Sequence, residues 1–184
     1  MKPSPGPAEF DGFASDYEAL LRDPVRDAFA VFRLFFFERK LHVLRRFYDR
    51  HAVDTQSIKW LDVGCGQGEL LRLGQPYFRS AAGCDVSEGM LKQCGDLEVR
   101  RQPSPHELPY EDGIFDLVTV VCVYHHIPDT VRPSFTAEVL RVLGTRGIFC
   151  IIEHNPLNLA TRFIVSRTPV DADAHLLRAG RQRA

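Results

Sequence analysis

Six residues in two short stretches define the chemistry open to this chain: Asp62, Gly64, Gly66, Gly68, Glu69 and Asp85. The stretch Trp60-Leu61-Asp62-Val63-Gly64-Cys65-Gly66-Gln67-Gly68-Glu69-Leu70 starts apolar and β-compatible, turns on glycines spaced by two, then resumes leucines at helical spacing. A strand that turns on glycines into a helix brings bare backbone N–H groups up to a ligand, because no Cβ holds the ligand off. Asp85 closes the next predicted strand, 17 residues after Gly68. A carboxylate at that place can accept both hydroxyls of a ribose. The ligand implied is a nucleoside.

Asp62 and Glu69 say which kind. A dinucleotide fingerprint reads GxGxxG, with the third glycine packing helix on strand. Here the pattern is GxGxG and Glu69 holds the sixth position. Two carboxylates beside the turn repel a pyrophosphate and suit a cation. That disfavours a nicotinamide-dependent oxidoreductase and favours S-adenosylmethionine, which carries an ammonium and a sulfonium. A second group of residues could move a proton. His125 and His126 follow the fourth predicted strand, and Glu153-His154-Asn155 follow the fifth. Histidine is the usual base near neutral pH for removing a hydroxyl proton. On an extended chain adjacent side chains point opposite ways, so one of His125 and His126 at most enters the site. His126 and His154 are the candidate bases.

The elements that position these residues alternate. Strands are predicted near 58–63, 81–86, 97–101, 115–123 and 148–152. Helices are predicted near 68–75, 87–94, 133–143, 158–166 and 171–177, with a turn at Gly144 to Gly147. A longer helix starts at Asp23-Pro24, where Asp caps and Pro suits the first turn, and runs to about Arg50. Its apolar positions (Val25, Phe29, Phe32, Phe36; Phe37, Leu41, Leu44, Tyr48) form a face wider than one stripe, for packing on the sheet or for use as a lid. Strands alternating with helices predict an α/β fold, a doubly wound, mainly parallel Rossmann-like sheet of about five strands. Ligands of such sheets bind at the carboxyl ends of the strands.

Composition narrows the class. The 184 residues fit one domain, and the net charge of −1 gives no electrostatic case for nucleic acid. The five cysteines form no CxxC pair, and three lie in or beside apolar runs, as buried thiols of a reducing compartment do. No metal-ligand spacing is present. With no apolar signal core and no membrane-length run, the expectation is a soluble, cytoplasmic protein. Three prolines and a glycine in residues 1–9 predict a disordered tail, and 178–184 a basic one. Between them, 10–57 is the N-terminal lid or packing segment, 58–153 the cofactor-binding core and 154–177 a helical C-terminal segment.

These motifs together resemble class I S-adenosylmethionine-dependent methyltransferases of the small-molecule, type 11 group. The first motif is Trp60 to Gly68; the second is Gly83-Cys84-Asp85-Val86-Ser87-Glu88-Gly89-Met90-Leu91. Leu108 to Val118 matches the segment entering the fourth strand, and Val139 to Leu143 with Gly147 the helix and turn before the fifth. Phe10-Asp11 with Ala14 and Tyr17 resembles the segment that closes over the cofactor. The resemblance implies that Gly64, Cys65, Gly66 and Gly68 flank the methionine part and that Asp62 holds its ammonium. Asp85 would bind the ribose, and Val86 and Met90 would pack on adenine. Val121 would line the methionine side, and Tyr17 would cover the site. Two departures stand out. Where the family has an Asp-Ala pair at the adenine, this chain has Ser104-Pro105. Serine can accept a bond, but proline has no N–H to give, which leaves His106 to help. The family's C-terminal strand hairpin also has no counterpart here, which predicts an exposed sheet edge with three readings: a truncated product, a homodimer through that edge, or cover by the 158–177 segment. The expected activity is methyl transfer from S-adenosylmethionine to a small-molecule acceptor, at oxygen, yielding S-adenosylhomocysteine. The alternative is a cofactor-binding protein with weak or no catalysis.

Overall fold

Apolar alternation along the central strands decides the architecture. In β1 (Lys59–Val63), Leu61 and Val63 point to one face while Trp60 and Asp62 point to the other, and all four are buried. A strand buried on both faces needs a layer of helix on each side. The computed structural model, which describes residues 11–12, 14, 34–104, 106–168 and 176, has those layers. Five parallel strands lie in the order β3-β2-β1-β4-β5, with β2 at Ser80–Asp85, β3 at Val99–Arg101, β4 at Phe115–Val121 and β5 at Leu143–Ile152. The chain leaves β1 in one direction to reach β3 and in the other to reach β5. The order therefore reverses beside β1, and in sheets of this kind the ligand crevice lies at the carboxyl ends of the strands flanking that point, here β1 and β4.

One face carries α1 (Leu34–Arg50) and α2 (Glu69–Gly74). Leu41 and Tyr48 of α1 pack there with Trp60, Leu70, Leu71, Phe78 and Leu117. A Cβ on Gly74 would come within 2.4 Å of the Trp60 ring, so glycine lets α2 sit directly on the sheet. The Leu41, Leu44 and Tyr48 stripe is a packing face, while Phe35 and Phe47 stay exposed. The predicted start of this helix at Asp23-Pro24 lies outside the described residues. The other face carries α4 (Arg132–Val142), whose Phe135, Val139 and Val142 join Leu61, Val63, Val118 and Val120.

The shorter elements follow their caps. The Ser87 hydroxyl accepts from the Met90 N–H and starts α3 (Glu88–Leu91), which ends before the predicted Cys94. Asn158 caps α5 (Leu159–Arg167) by accepting from the Thr161 N–H. The turn expected at Gly144 to Gly147 is instead absorbed into β5. Pairing with β4 jumps from Phe115–Leu143 to Leu117–Ile148, so those residues bulge out of the ladder without breaking it. The helix expected at 171–177 falls outside the described residues except for Leu176, which is not helical. Among the described residues no helix is long and apolar enough to cross a membrane.

Candidate active site

The glycine turn is held by its neighbours on β2. The Gly64 and Cys65 N–H groups both donate to the Cys84 carbonyl, at 2.8 and 3.0 Å, and the Gly68 N–H closes the turn on the Cys65 carbonyl. Gly64, Gly66 and Gly68 take φ values of 72°, 56° and 78°, the left-handed region where a Cβ is strained. At Gly64 a Cβ would also meet Val123 at 2.4 Å. Cys65 turns its thiol into the core and offers the crevice only backbone.

Asp85 stands at the end of β2 with one oxygen on each side of the turn. Its Oδ2 accepts from the Gly66 N–H and its Oδ1 from the Ser87 N–H, both at 2.9 Å. Burial pushes this carboxyl above its ordinary value, against the pull of the Ser87, Gly66 and Val86 N–H groups. An ionised carboxylate has about four lone-pair sites, more than these N–H groups use, so acceptor capacity remains for a ligand. Next to it, Asp11 reaches in from the N-terminal segment. Its Oδ1 accepts from the Ser87 hydroxyl at 2.6 Å and the Gly89 N–H at 2.9 Å, and these two donors hold its carboxyl below the usual range. The Ala14 carbonyl accepts from the Gln67 side chain at 3.0 Å. Asp11 and Ala14 are thereby pinned, the one to the start of α3 and the other to the glycine turn. Gly89 makes room for it, since a Cβ there would lie 2.9 Å from that of Ala14.

Asp62 is buried beneath the crevice on the α1 face. Register places it beside Thr119, whose hydroxyl donates to Asp62 Oδ1 at 2.6 Å and accepts from the Trp60 indole at 2.8 Å. Burial pushes the Asp62 carboxyl up to about 7, opposed by the Thr119 hydroxyl and the Lys40 charge, and Asp85 adds to the rise. A carboxyl raised from 3.8 to about 7 binds its proton more tightly in the folded chain. Its contribution to stability is complete below the unfolded value and is lost as pH rises to about 7. The loss is about 3–5 kcal/mol in the ligand-free protein. Urea unfolding of Asp62→Asn and of the parent chain should therefore diverge across that window, the variant gaining on the parent as pH rises. Parallel curves would refute the assignment.

The histidines gather where β4 and β5 end. Residues Tyr124–His126 form one 3₁₀ turn, so the expectation that extended backbone would send His125 and His126 to opposite sides is corrected: their ring centroids lie 4.0 Å apart. The buried His125 bonds Glu153 Oε2 through Nδ1 at 2.5 Å, and its ring lies 5.4 Å from that of His154. His126 and His154 flank this pair, each partly exposed. Just before the turn, Cys122 adopts φ 56°, a strained value for a residue with a Cβ, and its thiol accepts from Lys40 at 3.7 Å.

The remaining predicted residues are spread around this crevice. Val86 follows Asp85, Met90 is buried on α3 and Val121 ends β4. Ser104 spends its hydroxyl on the His106 N–H at 3.2 Å, while the His106 ring bonds Ser134 on α4. Tyr17 and Pro105 lie outside the described residues. Among the described residues no cluster of three or more His, Cys, Asp or Glu is arranged for a metal ion. Sequence reasoning passed over Lys40, gave Ser87 and Gly89 no role in holding Asp11, and chose His126 and His154 over His125. Only Ser87 had a local signal, as a helix cap; the others matter through distant partners.

Comparison with known proteins agrees with this geometry. Residues 61–151 match the model of the methyltransferase domain of the type 11 family. The uncharacterized methyltransferase YcgJ of Bacillus subtilis is 32% identical over 102 residues, 51% of this chain and 40% of that protein. The ubiquinone biosynthesis O-methyltransferase of Acinetobacter baylyi is 28% identical over 117 residues, 59% of this chain and 49% of that one. The chain thus spans less than half the length of these curated relatives. A Thermotoga maritima methyltransferase structure, described as a possible histamine N-methyltransferase, shares the fold with a TM-score of 0.66 at 16% identity, over 92% of this chain and 73% of that one. With the domain match over 61–151, the five-strand sheet and the glycine turn at its switch point, this chain belongs to the class I S-adenosylmethionine-dependent methyltransferases of the type 11 family.

Proposed function

We propose that this chain binds S-adenosylmethionine across the carboxyl ends of β1, β2 and β4 and transfers its methyl group to an oxygen of a small molecule. The observation that carries the reading is Asp85, a buried carboxylate that braces the glycine turn through the Gly66 N–H and keeps acceptor capacity toward the crevice. In this reading Asp85 takes the ribose hydroxyls. The backbone of Gly64, Cys65, Gly66 and Gly68 flanks the methionine part, and Asp62 attracts its ammonium. Val86 and Met90 pack on adenine, with Ser104 at its edge, Val121 lines the methionine side and Tyr17 covers the site.

The transfer is an in-line displacement: the acceptor oxygen bonds the methyl carbon while the carbon–sulfur bond breaks toward sulfur, leaving S-adenosylhomocysteine. Alignment and exclusion of water are the main contributions of the protein. The hydroxyl proton passes to an imidazole drawn from His126 and His154, the partly exposed rings, while the His125–Glu153 pair positions them. That proton acceptor beside the crevice is what favours oxygen. Calorimetry with S-adenosylmethionine and S-adenosylhomocysteine, followed by labelled-methyl transfer to a panel of phenols, alcohols and amines, tests the reading. Binding of both forms and label on a hydroxyl are expected. Label on amines alone would move the acceptor to nitrogen, and binding without transfer to any acceptor would favour a cofactor-binding protein. NADH binding in place of both would overturn the assignment.

A further inference from the structure

Two thiols meet beneath the glycine turn. Cys65 lies within the turn, and Cys94 follows α3. Both approach one acceptor, the Gly66 carbonyl oxygen, at 3.9 Å from the Cys65 sulfur and 3.4 Å from the Cys94 sulfur. A Cβ on Gly68 would sit 3.3 Å from the Cys94 sulfur, so Cys94 underlies the second half of the turn. Both thiols are free and buried in the α1 face of the core. One small residue would fill either place, and one donor would serve the carbonyl; the function described above uses neither sulfur.

We propose that Cys65 and Cys94 form a redox-sensitive dithiol whose oxidation to a disulfide disables the cofactor turn. The Arg72 guanidinium donates to the Cys94 carbonyl at 3.2 Å and its charge lowers the Cys94 thiol, while burial pushes Cys65 up. Cys94 is therefore the nucleophile of the pair. With hydrogen peroxide as oxidant, the Cys94 sulfur attacks one peroxide oxygen, the O–O bond breaks, and hydroxide leaves and takes up the Cys94 proton as water. The Cys65 sulfur then attacks the Cys94 sulfur, the S–O bond of the sulfenic acid breaks, and a second water leaves with the Cys65 proton. A disulfide holds its Cβ atoms about 3.8 Å apart. The cross-link also takes both thiol protons from the Gly66 carbonyl, which both sulfurs approach, and so disturbs the turn that Asp85 braces. Because both sulfurs are covered, oxidation needs the turn to open, and a ligand that holds the turn slows it.

The test treats reduced protein with hydrogen peroxide, with and without S-adenosylmethionine, then alkylates, digests and maps the peptides. A Cys65–Cys94 linked pair, lighter by two hydrogens, is expected without cofactor. It should form about tenfold more slowly with cofactor at about ten times its Kd. The linked protein should bind S-adenosylmethionine at least about tenfold more weakly, with recovery on reduction. Cys94→Ala, or Cys94→Ser if alanine unsettles the core, should keep its affinity through peroxide treatment. Other cysteines oxidising while Cys65 and Cys94 remain alkylatable would overturn the proposal, as would a linked protein with unchanged affinity. The proposal rests on the turn being the cofactor seat. Reduced protein that binds no cofactor would defeat that reading, whereas the peptide map tests the cross-link alone.

Discussion

Asp85→Ala should weaken S-adenosylmethionine binding by two orders of magnitude or more while the chain stays folded. Two hydroxyl bonds to a charged acceptor, at about 1.5–3 kcal/mol each, set that scale. Part of the loss is returned, because burial already penalises the carboxylate and its removal relieves that cost. Part is added, because the Gly66 and Ser87 N–H groups lose their acceptor and the turn loosens. Asp85→Asn keeps one acceptor oxygen and should lose less, about tenfold. Calorimetry gives the affinities, and urea unfolding of the same samples confirms the fold. A dissociation constant for Asp85→Ala within roughly threefold of the parent would remove Asp85 from the cofactor site.

The second large effect lies at the other end of the crevice. Removing the imidazole that accepts the hydroxyl proton should lower kcat by about 10²–10⁴ and abolish the acid limb of the pH–rate profile. His126→Ala and His154→Ala should split, one showing that loss and the other less than about tenfold, with cofactor affinity nearly unchanged in both. Glu153→Gln acts through His125 and should reshape the pH profile more than it lowers the maximal rate. A double His126→Ala/His154→Ala variant that retained its kcat would show that the acceptor needs no base from this cluster.

Much of the site was legible because its signals are local. GxGxG after a buried strand requires positive φ at fixed positions, and Gly64, Gly66 and Gly68 take it. The acid at the end of the next strand comes within hydrogen-bond reach of that turn because parallel pairing sets Val63 opposite Cys84. Helix caps at Ser87 and Asn158 are likewise local chemistry. The places where the reading failed are not local. Gly144 to Gly147 looks like a turn in isolation, but β4 offers a ladder that accommodates it as a bulge. His125 and His126 read as extended until the chain curls into a 3₁₀ turn and Glu153, 28 residues away, takes the first ring.

By itself, then, the sequence determined the alternation of strands and helices and the glycine turn, since each depends on residues a few positions apart. Only the tertiary structure decided which side chains share a hydrogen bond or a desolvated pocket. It set Thr119 against Asp62, Asp11 on the start of α3, Glu153 on His125, and the Cys94 thiol beneath Gly66. Those pairings arise from strand order and from burial, and neither is written in the spacing of neighbouring residues.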